Sequence, residues 1–263
     1  VILHYRKYEA VPEQNKPVLL VLHGLYGQQG NWATHARELS TDFTVYALDA
    51  RNHGQSPWAD SMTLPEMAQD VLDTMAALGL ERVQLLGHSM GGKTAMLLAL
   101  LQPARVQSLL VVDIVPVAYP RGDVQVLQGL QALDLPQIRS RSEADAQLAQ
   151  HVATPAVRDF LLTNLVKSPE GFRWRFNLPV LVRSFGEIIG WPQTPGRYEG
   201  PVLFIRGANS DYVLPEHQAA TQALFPQARL KTIQGAGHWV HSEKAETFRK
   251  LARDFLLETA PRS

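Results

Sequence analysis

The sequence predicts an α/β fold: a mostly parallel central sheet with helices on both faces and an inserted helical cap. Three observations carry that expectation. Short apolar runs recur along the 263 residues, helix-like stretches alternate with them, and this rhythm breaks once, between about Pro116 and Tyr198. Short apolar runs bounded by turn residues suit strands buried on both faces. Alternation of strand and helix suits a parallel sheet joined by crossovers.

The first run, PVLLVLHG, covers 17–24 and ends in glycine. FTVYALDA (43–50), RVQLLGHS (82–89), SLLVVDIV (108–115), PVLFIRGA (201–208) and ARLKTIQGAGH (228–238) repeat its form. TLPEMAQDVLDTMAALG (63–79) reads as a helix, with threonine near its start, Pro65 and Glu66 in the first turn, and Gly79 at its end. GKTAMLLALLQP (92–103) is almost wholly apolar and stops at proline. EKAETFRKLARDFLLE (243–258) places Phe248, Leu251, Phe255 and Leu256 on one helical face. The irregular segment holds helix-like pieces, several prolines and GFRWRFNLPVL (171–181), with no clear strand pair. The expected division is therefore a first core part at 1–115, a helical cap insertion at 116–198 and a second core part at 199–263. A separate second domain is the alternative.

Composition removes several classes of function. The 25 basic and 25 acidic side chains balance, so no global field favours nucleic acid or an anionic membrane. No apolar run approaches the roughly 20 residues that span a bilayer. The opening VILHYRKYEA is charged and leads into no apolar stretch, which reads as no signal peptide. With no cysteine there is no thiolate metal site, disulfide or cysteine nucleophile, and a reducing, cytoplasmic setting fits. No histidine pair has the spacing of a helical zinc motif, so neither metal nor cofactor is expected.

The chemistry centres on LLGHSMGGKTA (85–95), where three glycines in six positions flank a serine. Gly87-His88-Ser89-Met90-Gly91 fits G-x-S-x-G between an expected strand and an expected helix. A serine in a tight strand-to-helix turn projects its Oγ from the sheet edge, and its neighbours must then be small. The following helix start offers free N–H groups and a positive dipole end to a developing oxyanion. A serine nucleophile needs a base. Among nine histidines His238, in GAGHWVH after the last strand, is the expected base, with His241 as the competing candidate. His23-Gly24-Leu25 ends the first strong run, so the backbone N–H groups of Leu25 and Met90 are the expected oxyanion pair. His23, His88 and Trp239 are expected at the pocket wall.

LHGLYG, LDARNHGQS, GHSMGGKTAM, DIVPV, WRFNLPVL, RGANSDYV and GAGHWVHSEK follow in this order along the whole chain. Together they make the sequence resemble the α/β-hydrolase-fold serine esterases, close to the YbfF-type bacterial esterases. The resemblance implies a Ser-His-acid hydrolase with a small helical cap, acting on acyl esters and acyl thioesters. In most of these hydrolases the acid follows the strand after the cap, three residues past a glycine. Counted from Gly207 that place is Ser210, and Asp211 comes one residue later. Asp113 ends LLVVD, 24 residues after Ser89, where some relatives carry their acid. A carboxylate at the end of a buried strand also needs a partner, which an imidazole N–H supplies. Asp113 is therefore the expected acid and Asp211 the alternative.

Asp49, Arg51, Asn52 and His53 are expected to brace their loop, and the WRFN segment to seat the cap, with Trp174 facing the pocket. The expected partner is a small acyl ester or thioester, with no nucleic acid and no membrane span, in a monomer or dimer. A slow-turnover ligand sensor and a carbon–carbon bond hydrolase share the same residues and stand as alternatives.

Overall fold

A computed structural model describes residues 1–10, 16–119, 124–194 and 196–261. In chain order its elements are β1 (Tyr5–Tyr8), β2 (Val18–Leu22), α1 (Ala33–Leu39), β3 (Thr44–Leu48), α2 (Leu64–Ala77), β4 (Val83–His88) and α3 (Met90–Leu101). They continue with β5 (Val106–Val112), α4 (Val124–Ala132), α5 (Arg141–Leu148), α6 (Pro155–Leu162), β6 (Leu165–Ser168), β7 (Gly171–Trp174) and α7 (Leu178–Ile189). The last are β8 (Val202–Gly207), α8 (Gln218–Leu224), β9 (Ala228–Ile233), α9 (Val240–Glu243) and α10 (Ala245–Glu258).

Seven strands form one sheet in the order β1-β3-β2-β4-β5-β8-β9, parallel throughout except for β1. The continuous apolar runs have a simple cause. Successive strand side chains point to opposite faces, and both faces here are covered. On β2, Leu20 and Leu22 pack with Met67, Val71 and Leu97 of α2 and α3. Leu19 and Val21 pack instead with Ala36, Phe248 and Phe255 of α1 and α10. On β5, Leu109 and Val111 join the first cluster, and Leu110 and Val112 the second. The start of α2 is set by a capping box: Thr63 Oγ1 accepts from Glu66 N at 3.3 Å, and Glu66 Oε2 accepts from Thr63 N at 2.9 Å.

Register then positions the chemistry. Gly87 pairs with Val111 and His88 with Val112, so Ser89 and Asp113 lie side by side just beyond the strand ends. Ser89 N donates to Val112 O at 3.1 Å, and Asp113 N donates to Ile205 O at 2.8 Å. The sheet ladder thus runs directly into the site.

Between β5 and β8 lie α4 to α7 and an antiparallel hairpin of β6 on β7. The hairpin corrects the expectation that this segment lacks a strand pair. Its inner positions, Leu165 opposite Trp174, are buried, but the other residues are half-buried or, at Lys167 and Arg173, exposed, and polar residues interrupt both strands, so no apolar run marks it. Residues 120–123 and 195, part of the segment read as the cap, lie outside the described residues. Strand β1, YRKY, also escapes a reading based on apolar runs because three of its four residues are exposed at the sheet edge. Among the described residues no helix is long and apolar enough to cross a membrane.

Candidate active site

Ser89 stands between β4 and α3 with φ 51° and ψ −119°, a conformation that L-residues rarely adopt. The three surrounding glycines are explained by contact rather than by flexibility. A Cβ on Gly87 would lie 2.7 Å from Gly92 Cα, one on Gly91 2.6 Å from His23 O, and one on Gly92 2.5 Å from Ile114 Cγ2. Any side chain there would push α3 off the sheet and spoil the turn. Among the described residues, the non-glycine positions with positive φ are Tyr26, Asn52, Ser89 and Asp113. They lie on the loops leaving β2, β3, β4 and β5, so backbone strain concentrates along one edge of the sheet.

His238, on the loop between β9 and α9, bridges two of those strained residues. Its Nδ1 is 2.7 Å from Asp113 Oδ2 and its Nε2 is 3.1 Å from Ser89 Oγ. Asp113 is 1% exposed and accepts two further hydrogen bonds. Gly207 N donates to Oδ1 at 2.9 Å, and Ser210 Oγ donates to Oδ2. A buried carboxylate is costly unless it is hydrogen-bonded, and these three donors supply its partners. With Asp113 accepting from Nδ1–H, Nε2 carries the lone pair and accepts from the Ser89 hydroxyl. Asp211 is exposed, one residue past Ser210, and has no hydrogen bond to His238.

The loop after β2 is held by two buried histidines, each in a defined tautomer. Ala50 N donates to His23 Nε2 at 2.9 Å, so Nδ1 carries the proton and donates to Gly24 O at 2.7 Å. Tyr26 N donates to His53 Nε2 at 3.1 Å, and His53 Nδ1 donates to Arg51 O at 3.0 Å. Burial lowers both, His53 to about 3, so both rings stay neutral. Asp49 adds a second brace, accepting from Gln29 N at 2.7 Å and Gln55 N at 2.9 Å. Arg51 reaches Asp70 at 2.6 and 2.8 Å. Between these anchors lies Leu25. Neither its N–H nor that of Met90, the first residue of α3, donates a hydrogen bond among the described residues.

His88 is 4% exposed rather than lining an open pocket. Its Nε2 faces the His238 carbonyl at 3.0 Å, where it acts as donor and fixes the backbone of the histidine loop. His23, 2% exposed, is likewise internal. His241 faces away from Ser89: its ring stacks on Trp32 at 4.4 Å and 10°, and burial lowers it to about 3.

The RNHG and WRFN segments meet each other. Asn177 N donates to Asn52 O at 2.9 Å, and Asn177 Nδ2 donates to Asn52 Oδ1 at 3.1 Å. Arg175 Nη1 donates to Gln28 Oε1 at 2.5 Å, and Asn164 Nδ2 donates to Tyr26 O at 2.7 Å. Trp174 is buried and stacks on Phe176 at 5.1 Å and 11°. Phe176 in turn touches Tyr26 at 5.4 Å, so these aromatics join the segment to the core. Trp239, half-buried beside His238, touches Phe160 of α6 at 5.4 Å.

Two neighbours of the site escaped the sequence reading. Ser210 holds Asp113, and the Tyr212 ring stacks on the His238 imidazole at 3.9 Å and 20°. The displaced acid position at 210 was a legible signal for the first; nothing local distinguished Tyr212.

A parallel sheet covered on both faces, with a strained serine after its central strand and a histidine after its last, defines the α/β hydrolase class of fold. The chain belongs to that family: the family described as alpha/beta hydrolase fold matches residues 17–245. It is 42% identical to the mouse sn-1-specific diacylglycerol lipase ABHD11, over 91% of this chain and 81% of that protein. It is 38% identical to Esterase YbfF of Escherichia coli (strain K12), over 97% of this chain and 98% of that protein. Among solved structures, a marine microorganism esterase superposes with a TM-score of 0.92 at 35% identity, covering 97% of this chain and 99% of the other.

Proposed function

We propose that Ser89, His238 and Asp113 form a catalytic triad that hydrolyses acyl esters through an acyl-enzyme. The chain is a hydrolase acting on ester bonds. The observation that carries the mechanism is the continuous hydrogen-bonded line from Ser89 Oγ through His238 to Asp113, at 3.1 and 2.7 Å. His238 Nε2 takes the Ser89 proton as Oγ attacks the acyl carbonyl. The N–H groups of Leu25 and Met90 donate to the tetrahedral oxyanion. His238 returns the proton to the departing alcohol or thiolate, then activates the water that releases the acid. Asp113 keeps the imidazole in the required tautomer and stabilises the imidazolium.

The cap, drawn at 116–198 between core parts 1–115 and 199–263, belongs to this proposal. Its support is the set of bonds from Asn164, Arg175 and Asn177 to the loops at the sheet edge. Such seating makes one wall of the acyl site from the cap and the other from the core, with Phe160 and Trp239 meeting between them. The esterase and diacylglycerol lipase activities in the relatives' names support ester substrates, including glycerides; acyl thioesters use the same chemistry. We place the reaction in the cytoplasm, which cell fractionation tests, in a monomer or dimer, which light scattering tests. Steady-state turnover on p-nitrophenyl esters, acyl-CoA thioesters and diacylglycerols of increasing chain length tests the substrate class. Sustained turnover with a chain-length optimum supports the reading. A single burst followed by stalling on every substrate refutes it in favour of a ligand sensor.

A further inference from the structure

We propose that Lys93 is a positioning residue for this reaction: it anchors the end of cap helix α7 and, through Tyr119 and Tyr212, holds the His238 imidazole in line with Ser89. The inference rests on the triad reading above.

Lys93 is one turn beyond the nucleophile on α3, and its N–H donates to Ser89 O at 3.0 Å. It is the one charged residue in a helix otherwise made of Met, Gly, Thr, Ala and Leu, and it is 2% exposed. An ammonium in such a place is costly unless it is partnered, and a methionine would fill the same space without that cost. The partners are specific. Nζ donates to Ile189 O and to Gly190 O, each at 2.6 Å, and lies 4.8 Å from the centre of the Tyr119 ring. The last carbonyls of a helix lack partners inside the helix and form its negative dipole end. Lys93 therefore caps α7 with a charge-assisted bond pair and a cation–π contact. Burial pushes the ammonium down to about 7.

The anchor leads to the histidine in three steps. Tyr119 N donates to Ile189 O at 2.9 Å, the same carbonyl that Lys93 holds. Tyr119 Oη accepts from Val115 N at 3.2 Å and donates to Tyr212 O at 2.7 Å. The Tyr212 ring stacks on His238 at 3.9 Å, while Tyr212 N donates to Ser210 Oγ at 3.2 Å. Asp113 pins only one nitrogen of the imidazole, so the ring can still swing about that bond. The Tyr212 face limits the swing on one side, and His88, 4.8 Å away, borders another. If α7 loses its cap, Tyr119 and then Tyr212 lose their fixed positions, and His238 Nε2 drifts from Ser89 Oγ. A misplacement of about 1 Å at a reacting pair costs on the order of 100-fold in rate.

The test is a double-mutant cycle of Lys93→Met and Tyr119→Phe, with kcat and KM on p-nitrophenyl butyrate and thermal melts for each variant. Each single variant is expected to lower kcat by about 10-fold or more, with KM within about two-fold and the protein fully folded at the assay temperature. The double variant is expected to lose no more than the worse single one, because both break one chain. Losses that multiply, an unchanged kcat in either single variant, or a fall in kcat that simply follows the unfolded fraction overturns the proposal. If Lys93→Met does not fold, the same cycle with Lys93→Leu in its place decides by the same criteria. Fluorophosphonate labelling of the unaltered enzyme keeps the two readings apart. Its absence refutes the triad, whereas a failed cycle with full labelling of Ser89 refutes only the positioning role.

Discussion

Replacing Asp113 by asparagine tests which aspartate serves His238. Three donors converge on the two Asp113 oxygens: Gly207 N on Oδ1, and Ser210 Oγ and His238 Nδ1 on Oδ2. Asparagine offers a single oxygen. If its NH2 takes the Oδ1 side, two N–H groups oppose each other in a buried site, at a cost of about 1–3 kcal/mol in stability. If NH2 takes the Oδ2 side, His238 must accept at Nδ1 and carry its proton on Nε2, where it can no longer accept from Ser89. Either orientation leaves a neutral amide where the imidazolium needs a carboxylate. The expected loss in kcat/KM is on the order of 10³ to 10⁴, about 4–5.5 kcal/mol of transition-state stabilisation. The exposed Asp211 has no bond to His238, so Asp211→Asn is expected to stay within about two-fold. The assay is kcat/KM on p-nitrophenyl butyrate at neutral pH, with circular dichroism to confirm folding. Asp113→Asn retaining about a tenth or more of the activity, or Asp211→Asn losing as much as Asp113→Asn, refutes the assignment.

Further predictions concern stability. Burial holds His35 at about 4, and His53 and His241 at about 3, against an ordinary 6.5. The unfolded chain therefore binds more protons below 6.5, so stability falls on acidification, by about 2 kcal/mol for each of these histidines at pH 5. Urea midpoints should drop steeply between pH 6.5 and 5, and His241→Phe should make that slope shallower by about one proton; an unchanged slope contradicts the argument. Gly186 lies inside α7 with nothing within 4 Å of an added Cβ, so Gly186→Ala should raise stability by roughly 0.5–1 kcal/mol, seen as a higher thermal midpoint. Gly91→Ala, whose Cβ would meet His23 O at 2.6 Å, should do the opposite and abolish activity; a folded, active variant would contradict the contact argument for the elbow glycines.

Much of this molecule is legible in its sequence because its central strands are apolar on both faces and its helices carry clear stops. What was not legible shares a physical cause. Strand β1 and the β6–β7 hairpin bury too few side chains to leave an apolar run. At the site, Ser89 is visible because its glycines answer a local steric demand, and Asp113 because a buried strand end requires a partner. His88 and His23 are nearly buried, since chain position does not tell which way a ring at a strand end turns. Trp174 packs on Phe176, a contact that chain position likewise does not reveal. Tyr212 reaches His238 only through tertiary packing, and Lys93 finds its partners on a helix about 96 residues later, so neither contact has a local signature.

The reactivity of Ser89 as an activated nucleophile is the most direct measure of the proposed chemistry. Intact protein mass spectrometry after a fluorophosphonate probe measures that in one step. The account predicts one adduct per chain, located on Ser89, formed in the unaltered protein and at least about 100-fold slower in His238→Ala. Folded protein that takes no label, or label on another residue that persists in Ser89→Ala, would contradict it.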